Sequence, residues 1–201
     1  MQKWFPEAYR EFTVLSAFEL LKSYLGAGRI KIDKSKHPQL TTIHDPCNYV
    51  RKSQIVFGDH HGDASRWIVS QCCEHVVEMC ADPLNNLCCG AGGGAWALPY
   101  SEERMALGKA KADQIRKSGA QLVITPCHNS RDQIKKALPQ AFDMGNHKET
   151  MYIWELVAKS LEITPWREPK IKEARSQRDA QFERDNIRLE PHTESRELRQ
   201  V

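Results

Sequence analysis

An α/β domain, built on a small mostly parallel sheet flanked by helices, is predicted for this chain by two observations. Segments with a helical apolar period alternate with apolar runs too short to be helices, and Gly or Pro closes most of them. The resulting order is helix, strand, helix, helix, strand, helix.

The first helix is expected from Ala8 to Leu25, where Phe12, Leu15, Ala17, Phe18, Leu21 and Leu25 fall near one stripe ahead of Gly26 and Gly28. Leu40 to Ile43 reads as a short strand leading into His44-Asp45-Pro46-Cys47. Ala64 to Cys80 reads as a helix ended by Asp82-Pro83. The next helix opens at Ser101, an N-cap followed by Glu102 and Glu103, and closes at Gly119 after Arg116 and Lys117. Its buried face is expected to hold Met105, Gly108, Ala112 and Ile115. Leu122-Val123-Ile124 supplies a second strand, and His128 to Leu138 a helix stopped by Pro139. Phe142 marks a third short strand. Met151 to Leu161 closes the domain as a helix with Ile153, Leu156, Val157 and Ser160 on one side.

The 201 residues suit one domain of ordinary size, assigned to 1–166. From 167 to 201 the composition changes: 9 Lys/Arg and 8 Asp/Glu with few apolar side chains make a helical or disordered charged tail, a candidate docking segment for a partner. A net charge of +3 from 29 basic and 26 acidic side chains gives no reason to expect a nucleic-acid partner. No apolar run approaches the roughly 20 residues of a membrane span, and the first residues lack the features of an export signal, so a cytoplasmic protein without direct membrane insertion is expected. In that compartment seven cysteines read as reduced thiols, metal ligands or redox groups, not as disulfides.

Those cysteines divide by context. Cys72, Cys73 and Cys80 fall inside the expected helix and read as small core hydrophobes. Cys47, the pair Cys88-Cys89 and Cys127 lie in loops bearing Pro or Gly. Cys47 and Cys127 follow strands, so both are expected at the carboxyl rim of the sheet, where open α/β folds bind ligands, and they should converge there. Adjacent thiolates cannot easily chelate one small tetrahedral ion, yet each can hold a different iron of a larger cluster, which points to an iron–sulfur or thiol-redox module. After Cys89, Gly90-Ala91-Gly92-Gly93-Gly94 lets the backbone approach a bulky group and aim N–H donors at it. The same stretch satisfies G-x-G-x-x-A, but a turn and not a strand precedes it, so no flavin or nicotinamide site is expected. His44 and His128 adjoin the cysteine loops as ligands, supporting donors or plain loop residues.

His44-Asp45-Pro46-Cys47, Cys88-Cys89-Gly90-Ala91-Gly92-Gly93-Gly94 and Thr125-Pro126-Cys127-His128-Asn129, in this order, resemble the cysteine-rich CCG domain of heterodisulfide reductase and its relatives, among them the iron–sulfur subunit of glycolate oxidase. The similarity runs from about Lys3 to Leu161. It implies a [4Fe-4S] cluster, non-cubane in heterodisulfide reductase itself, with Cys47, Cys88, Cys89 and Cys127 as ligands and Gly90, Gly92, Gly93, His128 and Ser130 around the cofactor. It also implies electron relay to or from a thiol or disulfide substrate, such as a small protein, and partners that deliver electrons: a membrane quinone or cytochrome subunit, or a ferredoxin-like protein. Membrane association would then run through those partners.

Two departures from the family pattern stand out. Ser130 occupies the place of the last cysteine, and an oxygen is a harder, poorer iron ligand, leaving open a less stable cluster, a four-cysteine cubane or another metal. One CCG motif is present where heterodisulfide reductase has two, so Met1 resembles the middle of a longer subunit, and a fragment, a split gene product or a reduced relative is expected. A competing reading is a structural zinc module held by Cys47, Cys127, one of Cys88 or Cys89, and His44 or His128. A third, a nucleophilic Cys127 assisted by His128, is disfavoured because adjacent side chains at a helix start diverge.

Overall fold

Three short strands, β1 (Thr41–Ile43), β2 (Leu122–Thr125) and β3 (Glu149–Tyr152), form one sheet in that spatial order, and every pairing is parallel. Thr41 pairs with Leu122 and Leu122 with Glu149, so the carboxyl ends of β1 and β2 are level. The computed structural model describes residues 4–12, 15–81, 83–163, 176, 177 and 180. Met1–Glu162 is one compact unit; the second unit, Ile163–Val201, contains the charged tail, and the expectations for that tail lie outside the described residues.

Around the sheet run α1 (Pro6–Glu11), α2 (Ala17–Gly26), α3 (Ser53–Phe57), α4 (Gly62–Cys72), α5 (Ser101–Ser118), α6 (His128–Asp132), α7 (Leu138–Ala141) and α8 (Ile153–Ser160). The strands are buried on both faces, as parallel strands covered by helices must be. Alternate residues serve opposite layers: Ile43, Leu122, Ile124 and Met151 join Phe18, Ile68, Val69 and Leu156 on one side. Val123 joins Ala112, Ile115, Ile134 and Leu138 on the other. Among the described residues no helix is long and apolar enough to cross a membrane.

Several expected boundaries move, each for a local reason. The single helix from Ala8 is two helices, because Ser16 caps α2 and forms a reciprocal capping box with Glu19; Phe12 and Leu15 are exposed. The helix expected to reach Cys80 stops at Cys72. Beyond it the chain extends, and His75 to Val77 bonds along the β1 edge through Thr41 N–H to the His75 carbonyl and Val77 N–H to the Thr41 carbonyl, 2.9 and 2.8 Å. Sheet-edge pairing therefore overrides helical period, and Cys80 ends exposed, not in the core.

Tyr100, not Ser101, is the cap position of α5, and the α5 stripe also buries Lys111 and Gln114. Pro139 does not stop the helical stretch that begins at His128: a π turn at Gln133–Ala137 resets the register, so the proline falls in the first turn of α7. Phe142 caps α7, and the third strand lies at Glu149–Tyr152, taking Met151 away from the last helix. The buried side of α8 is Ile153, Leu156, Val157 and Ser160, as the period predicts.

Candidate metal centre

The level strand ends set the site. His44 N–H still bonds to the Ile124 carbonyl at 2.9 Å, after which Asp45-Pro46 turns the chain out of the sheet. The Pro46 carbonyl accepts from Tyr49 and Val50, so Cys47 stands at the head of the π turn Asn48–Lys52 that runs on into α3. From that turn Arg51 reaches back to the carbonyls of Leu84 (3.0 Å) and Asn86, fastening the loop that leads to Cys88. On the second strand, Thr125-Pro126-Cys127 ends β2 and makes Cys127 the N-cap residue of α6, with Ser130 in the first turn.

Close packing holds the Cys88-Cys89-Gly90 backbone against α5. Gly90 has a φ of 90°, and a Cβ there would lie 2.2 Å from the Arg104 carbonyl oxygen. Gly108 on the facing turn is also tight, since a Cβ would lie 2.9 Å from the Cys89 carbonyl oxygen and 2.6 Å from the end of the Leu138 side chain. No side chain larger than hydrogen fits either position without moving backbone.

Three sulfurs meet in the resulting pocket. Cys88 Sγ accepts a hydrogen bond from Gly90 N–H at 3.2 Å, and the Cys47 and Cys89 sulfurs share in the hydrogen bonding around it. Those bonds hold the Cys88 thiol far below its ordinary range, against the opposing effect of burial. The same bonds, with burial adding, push Cys47 and Cys89 up. Negative charge therefore collects on Cys88, the exposed member of the trio. The buried Cys89 Sγ also lies 3.3 Å from Ser130 Oγ, joining α6 to the group.

Behind the sulfurs lies a buried polar ring that sequence reasoning missed. Lys111 is 0 % exposed; its ammonium donates to Asn86 Oδ1 at 2.6 Å and to Gln114 Oε1. Asn86 in turn donates to the Asp45 carbonyl, and Gln114 to the Cys80 carbonyl at 2.5 Å. Burial lowers the Lys111 ammonium to about 8, while Cys89, Asp45, Cys88 and Cys47 all favour its charged form. His44 is also buried, and its Nδ1 has no hydrogen-bond partner; burial first, then the Lys111 charge, keeps the ring neutral, with Cys88 opposing. The spacing of Gly108, Lys111, Ala112 and Ile115 carried a signal: a lysine on the apolar stripe of a helix is out of place unless it has a polar task.

Of the residues singled out from sequence, Cys47, Cys88, Cys89, Gly90 and Ser130 come together. Cys127 is half-buried one helical turn from Ser130, and its N–H bonds to Thr125 Oγ1 at 3.4 Å. His128 is exposed and turns to Tyr152, bonding to the hydroxyl and stacking at 6.0 Å, while Arg131 covers the same tyrosine ring. Gly92 and Gly93 form an exposed turn with open space around them. Among the described residues no group of three or more His, Cys, Asp or Glu is gathered to hold a metal ion; the trio is a chain of bonded sulfurs centred on Cys88. Soft sulfur donors, an unpartnered buried His44 nitrogen and an enclosed ammonium suit a sulfur-ligated, negatively charged group.

A parallel α/β sheet that gathers thiols at its carboxyl edge defines a cysteine-rich domain with the chemistry of thiolates. Residues 41–135 match the family model of the CCG cysteine-rich domain, so this stretch of the chain is a cysteine-rich domain of that kind. CCG domains occur in heterodisulfide-reductase-type iron–sulfur proteins, which supports a general redox role and is compatible with metal or iron–sulfur binding. No curated protein matches the chain.

Proposed function

We propose that this chain is an iron–sulfur subunit of a heterodisulfide-reductase-like complex, similar to the K subunit of the membrane complex linked to dissimilatory sulfite reductase, relaying electrons to or from a thiol/disulfide substrate. The observation that carries this reading is the convergence of Cys47, Cys88 and Cys89 beside Ser130 at the carboxyl edge of the β1–β2 pair. Cys47, Cys88, Cys89 and Cys127 would hold a [4Fe-4S] cluster, with Ser130 at the fifth position. When bound, such a cluster supplies one-electron transfer and iron that takes up sulfur.

The chain's own residues prepare that chemistry. Cys88 keeps a thiolate ready, because its neighbours donate to it, and thiolate is the state iron requires. Gly90 N–H and the buried Lys111 oppose the accumulation of negative charge. Beside Cys88 an open cleft of about 580 Å³ lined by Arg51, Leu84, Asn86 and Leu87 gives a disulfide-bearing substrate room to approach. Electrons would come from a membrane quinone or cytochrome subunit or a ferredoxin-like protein, and these partners would hold the chain at the cytoplasmic face of a membrane.

Anaerobic reconstitution with iron and sulfide, followed by metal and sulfide analysis and electron paramagnetic resonance, tests the reading. The expected product is brown, contains iron and acid-labile sulfide, and shows a cluster signal that Cys88→Ser removes. Colourless protein with one zinc and no sulfide would overturn it in favour of a structural module.

A further inference from the structure

We propose that Lys111 is an internal counter-ion for the cysteine pocket, a fixed positive charge that makes the pocket select a net-negative occupant. The inference deepens the iron–sulfur reading by specifying the charge of what the pocket takes, and its basis is independent of iron. Lys111 projects from the middle of α5, a position that a lysine normally leaves for solvent by extending its stem. Here the whole side chain is enclosed at 0 % exposure. Its hydrogen bonds go to two neutral amide oxygens, on Asn86 and Gln114.

A buried cation held by dipoles alone is costly, and it is retained where an anion faces it. The carboxylate with an electrostatic bearing on Lys111 is Asp45, and Arg66 already grips both of its oxygens at 3.0 and 2.9 Å. The other groups with an electrostatic bearing on Lys111 are the sulfurs of Cys89, Cys88 and Cys47, among which Cys88 carries the negative charge. The Asn86 link makes the arrangement rigid: its side chain joins Lys111 to the Asp45 carbonyl, and its own carbonyl is clamped by Arg51, two residues before Cys88. Loop, helix and strand end are thereby locked with the ammonium behind the sulfurs. A metal held by several thiolates is an anion, and so is a bare thiolate; a neutral occupant would leave the charge unanswered.

The test reads the field at Cys88 without any metal. In the apoprotein, the rate of Cys88 alkylation by anionic iodoacetate is divided by the rate with neutral iodoacetamide, a ratio in which the thiolate fraction cancels. A positive charge behind the sulfur should raise this ratio about threefold or more over the same thiol in the urea-unfolded chain. Lys111→Met should lower it by about that factor, Lys111→Arg should keep it, and Gln114→Leu, which removes a hydrogen bond but no charge, should change it by less than about twofold. A folded wild-type ratio equal to the unfolded one, or a folded Lys111→Met protein with the wild-type ratio, would overturn the proposal, and the first comparison needs no variant to fold. In protein reconstituted with iron and sulfide, Lys111→Met should move the midpoint potential to more negative values, since reduction adds charge that the ammonium stabilises. If the ratio falls in Lys111→Met while wild-type protein takes up no iron or sulfide, the counter-ion role stands and the iron–sulfur reading falls. If both proteins load iron with the same potential and the same ratio, the reverse holds.

Discussion

Two pairs of adjacent cysteines, Cys72-Cys73 and Cys88-Cys89, meet opposite fates in this molecule. The first pair ends α4 and is buried in the apolar layer with Ile68, Val69 and Leu156. Burial pushes both of its thiols up, Cys72 to about 11, and keeps them neutral and inert. The second pair lies in a loop pinned to α5, where sulfurs are each other's partners and Cys88 is held down as a thiolate. What separates the pairs is not the residue type but whether the neighbouring backbone is regular and apolar, or irregular enough to bring a third sulfur and an N–H donor within reach.

The comparison breaks most severely at the glycine that follows the second pair. Gly90→Ala places a methyl 2.2 Å from the Arg104 carbonyl in a left-handed backbone, so the loop must leave α5. A loss of about 3 kcal/mol or more is expected in denaturant unfolding, together with loss of reconstituted iron. An unchanged unfolding midpoint would mean that the loop is not held by that contact.

The next effect is alkaline. The Cys72 thiol rises from an ordinary value of 9.0 to about 11 because burial disfavours its charged form. A raised folded value means that the unfolded chain loses its proton first, so the stability is complete below pH 9 and is lost as pH climbs toward 11. The loss should be on the order of 2–3 kcal/mol, and Cys72→Ala should flatten that part of the stability curve when unfolding is followed from pH 8 upward.

A smaller effect separates the pairs directly. Cys72→Ser puts a hydroxyl into the apolar layer and should cost about 1–2 kcal/mol in the apoprotein while leaving iron uptake intact. Cys88→Ser, at an exposed position, should change apoprotein stability by less than about 0.5 kcal/mol while abolishing iron and sulfide retention. Equal outcomes from the two serine variants would erase the distinction.

Much of this was legible in the chain. The strands expected at Leu40–Ile43 and Leu122–Ile124 and the buried face of α8 follow from periodicity, because burial on a regular element repeats at a regular interval. The loops that follow strands pointed to Cys47 meeting Cys127 at the sheet's carboxyl rim, whereas the structure sets Cys47 beside Cys88, whose loop follows a turn. Less was readable where partners distant in sequence decide. Cys80 looked helical and buried, but β1 draws His75 to Val77 to its edge and leaves Cys80 exposed. Lys111 lies on the apolar stripe of α5, but nothing within a few residues of it shows that Arg51 and the Asp45 carbonyl hold Asn86 against its ammonium.

The sequence by itself determined the class of fold and the candidate sulfur ligands, because residue spacing and the conformational limits of Gly and Pro act within a few residues. Tertiary structure alone decided which thiol carries the charge and what lies behind it. Hydrogen bonds between Cys88, Cys47 and Cys89, and the enclosure of Lys111, depend on strand ends being level and on α5 approaching a glycine, and such long-range contacts leave no local pattern to read.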